Sequence, residues 1–124
     1  MKPFPWRPGM TAEVHPRGGQ VTLFALRGDI AFCAYLDGPH PSAAHPRVVD
    51  LRLDLMTPVE TDGATLGALR QVIRELREYP SWSPTPLEHD PGVVEWVIDS
   101  PSRERQTLYP SEFACLMAAY QKAS

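Results

Sequence analysis

Several features common in proteins are scarce or missing in this chain of 124 residues. Asparagine is absent, so the sequence has no acceptor for N-linked glycosylation. No apolar run approaches the ~18 residues that a membrane-spanning helix requires. The first five residues, Met1 to Pro5, lack the apolar stretch of a secretion signal. These absences predict a soluble, cytoplasmic protein that does not contact a membrane.

Cysteine is also scarce, with only Cys33 and Cys115 in the chain. Both lie inside short apolar runs, where a free cysteine behaves as a small buried hydrophobic residue. This placement favours two buried free thiols over a disulfide or a catalytic nucleophile.

The overall charge excludes a strongly basic surface. Lysine occurs only twice against ten arginines, and the formal net charge is -3. With 43% apolar and 22% charged residues, the composition is that of a globular protein. The length fits one domain over residues 1–124, and the shortage of lysine and asparagine is typical of a GC-rich bacterial or a heat-adapted genome.

Fourteen prolines divide the chain into segments, because proline is excluded from helix interiors and central strands. Prolines at positions 3, 5 and 8 predict an extended arm over residues 1–10, held to the body of the protein by Phe4 and Trp6. The apolar patterns between prolines predict the regular elements. Strands are predicted at 11–15, 20–27, 30–36, 49–55, 93–99 and 106–109, helices at 66–79 and 111–123, and a proline-rich loop at 81–92.

The order of these elements, β-β-β-β-α-β-β-α, excludes regular alternation of strands and helices. We therefore expect the α+β class, with a single antiparallel sheet of about five to six strands and two helices packed on one of its faces. Alternation of apolar and charged residues from Val49 to Leu55 is the clearest strand signal, since it gives one face to the core and the other to water.

The leading functional hypothesis is a small non-enzymatic module that binds another protein. Trp6 and Trp82 lie in proline-rich segments, and an exposed aromatic side chain on stiff backbone makes a good interface anchor. Binding of a second copy of the chain, through the open face or an edge strand of the sheet, is a variant of this hypothesis.

Two alternatives remain open. Arg70, Arg74 and Arg77 form a basic stripe on the predicted helix 66–79, which could contact nucleic-acid phosphates. The loop 37–46 contains Asp37, His40 and His45, and His89 lies beside Asp90, so a small metal-dependent hydrolase is the second alternative. The histidine spacing matches no standard zinc motif, and no glycine-rich phosphate loop occurs, so we expect neither a metal nor a cofactor.

Residues 49–58 end in Leu-Asp-Leu-Met-Thr-Pro, which is close to a Leu-x-Asp-Leu-x-x-Pro strand end, and the segment Ala64 to Leu69 carries a Thr-Leu-Gly-x-Leu helix start. This combination resembles short bacterial proteins of unassigned function, some of them carried by phages and mobile elements. The resemblance implies an accessory or mobile-element origin. It brings no catalytic residue with it.

Overall fold

A computed structural model describes residues 3–16, 18–35, 48–100 and 106–124. In chain order the strands are β1 (Thr11–Val14), β2 (Gln20–Arg27), β3 (Ile30–Tyr35), β4 (Val48–Arg52), β5 (Met56–Pro58), β6 (Thr85–Asp90) and β7 (Val93–Val97). The helices are α1 (Gly63–Arg77) and α2 (Glu112–Ala123), and a 3-10 turn (Leu53–Leu55) joins β4 to β5. The α+β class and the predicted order of elements are confirmed.

The chain divides into two compact units. The first, here called the sheet unit, comprises residues 6–68. The second, here called the hairpin unit, comprises residues 69–124 and the start of the chain up to Pro5. Neither described helix has the length and apolar character that crossing a membrane demands.

The sheet unit contains five antiparallel strands in the order β4-β3-β2-β1-β5. Strands β2 and β3 form the predicted hairpin, and Gly28 supplies the positive φ of +60° that its tight turn requires. One face of the sheet forms a core around which Trp6 and other partly buried side chains pack. The most buried members of that core are Ala12, Val14, Val21, Leu23, Ala31, Cys33 and Met56.

The predicted strand 49–55 is shorter than expected. The chain leaves β4 after Arg52, turns through three residues, and resumes as β5, which pairs with β1 at the opposite end of the strand order. Leu53 remains at the margin of the sheet unit's core. The alternating pattern therefore marks residues that face the core but does not reveal the turn, because a short 3-10 turn can also place apolar side chains inward.

The expected single sheet is wrong: the described strands form two sheets, of five and two strands. Strand β7 pairs with β6, which lies inside the segment predicted to be a loop. Within the predicted strand 106–109, whose residues are all described, Tyr109 alone forms a bridge to β7, at Trp96. The reason is the turn at Pro91 and Gly92. Gly92 has a φ of +84°, and proline followed by such a glycine favours a tight turn between adjacent strands.

Helix α1 begins three residues earlier than predicted. Asp62 caps it, since its Oδ1 accepts hydrogen bonds from the backbone N–H groups of Ala64 and Thr65. Thr65, in the first turn of the helix, is fully buried in the sheet unit. Its hydroxyl donates to the carbonyl oxygen of Thr11 and accepts from the Thr11 N–H.

In the hairpin unit α1 is buried at Leu69, Val72 and Ile73, whose spacing of three and four residues places them on one face of the helix. Helix α2 begins after Ser111, whose hydroxyl accepts a hydrogen bond from the Ala114 N–H. Phe4 stacks on Phe113 of α2, with 6.2 Å between ring centroids. The prediction that aromatic packing holds the N-terminal arm is confirmed for this ring.

Both cysteines are buried free thiols, as predicted. Burial raises the pKa of each thiol to about 11, with smaller contributions from the negative charges of Asp50 on Cys33 and of Glu112 and Asp99 on Cys115.

With such a pKa, only about one thiol in a thousand is ionised at pH 8. We expect neither cysteine to react with a thiol reagent in the folded chain at that pH and both to react after denaturation. Rapid labelling of the native protein would contradict this.

Candidate functional site

Residues from the two main functional hypotheses meet in one cluster of the hairpin unit. The guanidinium of Arg77 forms two hydrogen bonds with the carboxylate of Asp99, at 2.8 and 3.2 Å, and lies 5.2 Å from the ring centroid of Trp82. The Trp82 indole N–H donates to the same carboxylate at 3.4 Å. The hydrogen bonds from Arg77 lower the pKa of Asp99, and Asp99 in turn raises the pKa of Arg77.

This cluster borders a cleft of about 620 Å³. The other lining side chains all carry hydroxyl groups: Tyr79, Ser81, Ser83, Thr85 and Ser100. The positive charge of Arg77 and the negative charge of Asp99 offset each other at its wall. The cleft therefore offers hydroxyl donors and acceptors around a neutral ion pair.

The three arginines of the predicted basic stripe are each engaged within the hairpin unit. Arg70 forms a salt bridge with Glu112, and Arg77 forms the one with Asp99. The Arg74 Nε–H donates to the carbonyl oxygen of Trp82 at 2.6 Å. A phosphate would have to compete with these partners, so the stripe presents much less free positive charge than the sequence suggests. Nucleic-acid binding through these arginines stays a prediction.

The two tryptophans predicted to bind a partner lie in different surroundings. Trp82 is only 5% exposed, so its ring has almost no surface with which to contact another molecule. Trp6 is partly buried and packs against the core of the sheet unit. The burial of Trp82 argues against its role as an exposed anchor, while partner binding through Trp6 stays a prediction.

The predicted metal ligands Asp37, His40 and His45 lie outside the described residues. Within the part of the chain that the structure describes, no three His, Cys, Asp or Glu side chains are grouped so that they could hold a metal ion. His89 faces Glu95 across the β6–β7 hairpin, with 3.7 Å between Nε2 and a carboxylate oxygen.

A surface that the sequence did not reveal lies on the outward face of the sheet unit. Phe24 is 53% exposed, Phe32 45% and Val48 52%. Phe32 lies opposite Ala25 and Asp50 in the ladders, and Val48 is its diagonal neighbour on β4. We call Phe24, Phe32 and Val48 the exterior patch.

A bulge in β2 helps to create this patch. The β2–β3 register shifts between Leu23 and Ala25, which leaves Phe24 as the extra residue. Strict alternation would turn Leu26 away from the core, whereas the bulge lets both Leu23 and Leu26 pack against it. Phe24 is left on the surface as a consequence.

No family model matches the chain, and no match to a curated protein or a solved structure was found.

Proposed function

We propose that this chain is a non-enzymatic module that works by binding another protein, and that the exterior patch is its binding surface. The observation that carries the proposal is the exposure of Phe24, Phe32 and Val48 beside one another on a sheet whose other face already has its own core. Adjacent exposed apolar side chains are typical of protein-binding surfaces, and aromatic residues are enriched there.

The chemistry of the patch favours a protein over a nucleic acid. Its side chains are apolar, and the residue of β4 that lies directly opposite Phe32 is the negatively charged Asp50. Nucleic-acid binding depends on free positive charge near phosphates, whereas protein association gains most from the burial of apolar and aromatic surface. The net charge of -3 adds to the repulsion of a polyanion.

A double substitution, Phe24→Ser with Phe32→Ser, tests the proposal. We expect the native chain, used as bait in the cytosol of its source organism, to retain specific proteins that the variant loses. Because both side chains are about half exposed, their replacement should change the free energy of unfolding by no more than about 1 kcal/mol. Quantitative mass spectrometry of the retained proteins and a urea titration provide the two measurements.

The matched control is Val93→Ser with Val94→Ser, which removes two exposed apolar side chains from the hairpin unit. This control should retain the same proteins as the native chain. The proposal fails if the Phe24 and Phe32 variant retains them equally well, or if both variants lose them to the same extent.

The resemblance of residues 49–58 and 64–69 to proteins of phages and mobile elements adds an expectation about biological setting. If the module is an accessory protein of such an element, its partner is expected to be encoded near it. Genes for capsid, defence or toxin proteins beside this one would support that setting and would supply purified partners for the same binding test.

A further inference from the structure

The two edges of the five-stranded sheet differ in how well their backbone is protected. At one edge β5 is only three residues long and ends at Pro58, which has no N–H to offer. The Thr65 hydroxyl occupies both backbone groups of Thr11 just beyond that strand. At the other edge β4 has a single neighbour among the described strands, β3. Strand β4 is therefore the edge that can accept another strand.

The hydrogen-bond pattern identifies which groups of β4 are available. The Leu53 N–H donates to the Asp29 carbonyl oxygen at 2.8 Å, which continues the β3–β4 ladder. Successive residues of an antiparallel strand direct their backbone N–H and C=O groups to opposite sides. Leu51, two residues before Leu53, therefore also directs its groups toward β3. Val48, Asp50 and Arg52 then direct theirs toward the open edge.

We infer that β4 pairs antiparallel with β4 of a second copy of this chain, about a two-fold axis at Leu51. The inference goes beyond the proposed function, since it concerns the open edge of the sheet and not the exterior patch. This register places Asp50 opposite the partner's Arg52, and Arg52 opposite the partner's Asp50. Each pair exchanges two backbone hydrogen bonds, and the opposite charges lie about 5 Å apart at Cβ.

Other symmetric registers are less favourable. An axis at Asp50 or at Arg52 would place two like charges directly opposite each other, which destabilises a strand pair. An axis at Val49 would place Asp50 opposite the partner's Val48, without a compensating charge. The charges of β4 are therefore self-complementary in only one of these alignments.

The present partner of Arg52 does not oppose this pairing. Arg52 forms a salt bridge of 2.7 Å with Asp54, and both side chains are about 60% exposed. Such an exposed ion pair contributes little to stability, so its exchange for a pair across the two copies costs little. Because Phe32 lies opposite Asp50 in the β3–β4 ladder, pairing would also bring the exterior patches of both copies onto one continuous sheet face.

Charge exchange at two positions tests this arrangement. Asp50→Arg places two arginines opposite each other twice in the dimer, and Arg52→Asp does the same with two aspartates. The double variant restores both attractive pairs with their signs reversed. Glu60→Arg is the control, since it makes the same change in charge as Asp50→Arg but at an exposed position outside β4.

Sedimentation equilibrium over a wide range of concentration provides the measurement. We expect the native chain to approach twice the 13.8 kDa of one copy at high concentration. Each single variant should raise the dimer dissociation constant about tenfold or more, the double variant should return it toward the native value, and the control should leave it unchanged.

The inference is overturned if the native chain sediments as a monomer throughout, or if the double variant associates no better than the single ones. In either case, loss of protein capture by the Phe24 and Phe32 variant would leave the proposed function standing. Equal capture by that variant, with dimerisation intact, would remove the proposed function of the patch and leave the β4 pairing.

Discussion

Replacement of Trp82 by alanine should reduce the free energy of unfolding by about 3–5 kcal/mol, the range found for large buried aromatic side chains. The ring is 5% exposed, lies against the Arg77 guanidinium and donates a hydrogen bond to Asp99. Its removal leaves a cavity and removes the ring surface over which Arg77 packs. Urea unfolding monitored by far-ultraviolet circular dichroism measures the loss.

Two further variants separate burial from the other contributions. Trp82→Phe keeps most of the apolar volume but removes the indole N–H, so we expect less than half of the loss. Tyr79→Ala removes an aromatic side chain that is 55% exposed in the same segment and should change stability by less than about 0.5 kcal/mol. If Trp82→Ala is as mild as Tyr79→Ala, Trp82 is not a core residue and its role as a binding anchor regains support.

This experiment also decides between two interpretations of the same residue. A tryptophan in a proline-rich segment is a good interface anchor when it is exposed, but sequence alone does not report exposure. Pro80 and Pro84 flank Trp82 and predict irregular backbone. Burial depends on contacts with Arg77 on the preceding helix and with Asp99, which lies 17 residues further along the chain. For that reason the residue was predicted as functional while its packing was not.

The sequence predicted the elements with local patterns more reliably than the pairing between them. Alternation at residues 49–52 and the three- and four-residue spacing in α1 each place apolar side chains on one face of an element. Such a pattern can be recognised within a short segment of sequence. The choice of β6 over residues 106–109 as the partner of β7 depended on a two-residue turn. Pro91 followed by Gly92 was the available signal, and the density of prolines around it favoured a loop instead.

The candidate site was less predictable still. Exposure of Phe24 follows from a bulge, and an apolar run such as residues 30–36 gives no sign of which side chain lacks cover. Both faces of the segment 30–36 are apolar in sequence, which is typical of a strand covered on both sides, yet Phe32 is 45% exposed. Charged residues were more informative, since Asp50 and Arg52 were predicted to lie on the solvated face of their strand, and both are exposed.

Replacement of Thr65 by valine should destabilise the chain by about 1–3 kcal/mol. Valine keeps the shape of threonine but removes the hydroxyl that serves the Thr11 N–H and carbonyl oxygen at 3.1 and 3.2 Å. The carbonyl oxygen keeps a second partner in the Val59 N–H, whereas the Thr11 N–H loses the acceptor that Thr65 provides. Leaving a buried N–H without an acceptor costs more free energy than a typical hydrogen bond contributes to stability.

The control is Thr65→Ser, which keeps the hydroxyl and removes one buried methyl group, at a cost of about 0.8 kcal/mol. We therefore expect the valine variant to be less stable than the serine variant, although valine is the more hydrophobic residue. Hydrogen exchange at the Thr11 amide supplies a local measurement: exchange should accelerate in the valine variant and stay near the native rate in the serine variant. Equal stability with unchanged exchange would show that the Thr65 hydroxyl does not protect this strand, and that the protection of the β5 edge must come from the short length of β5 and from Pro58.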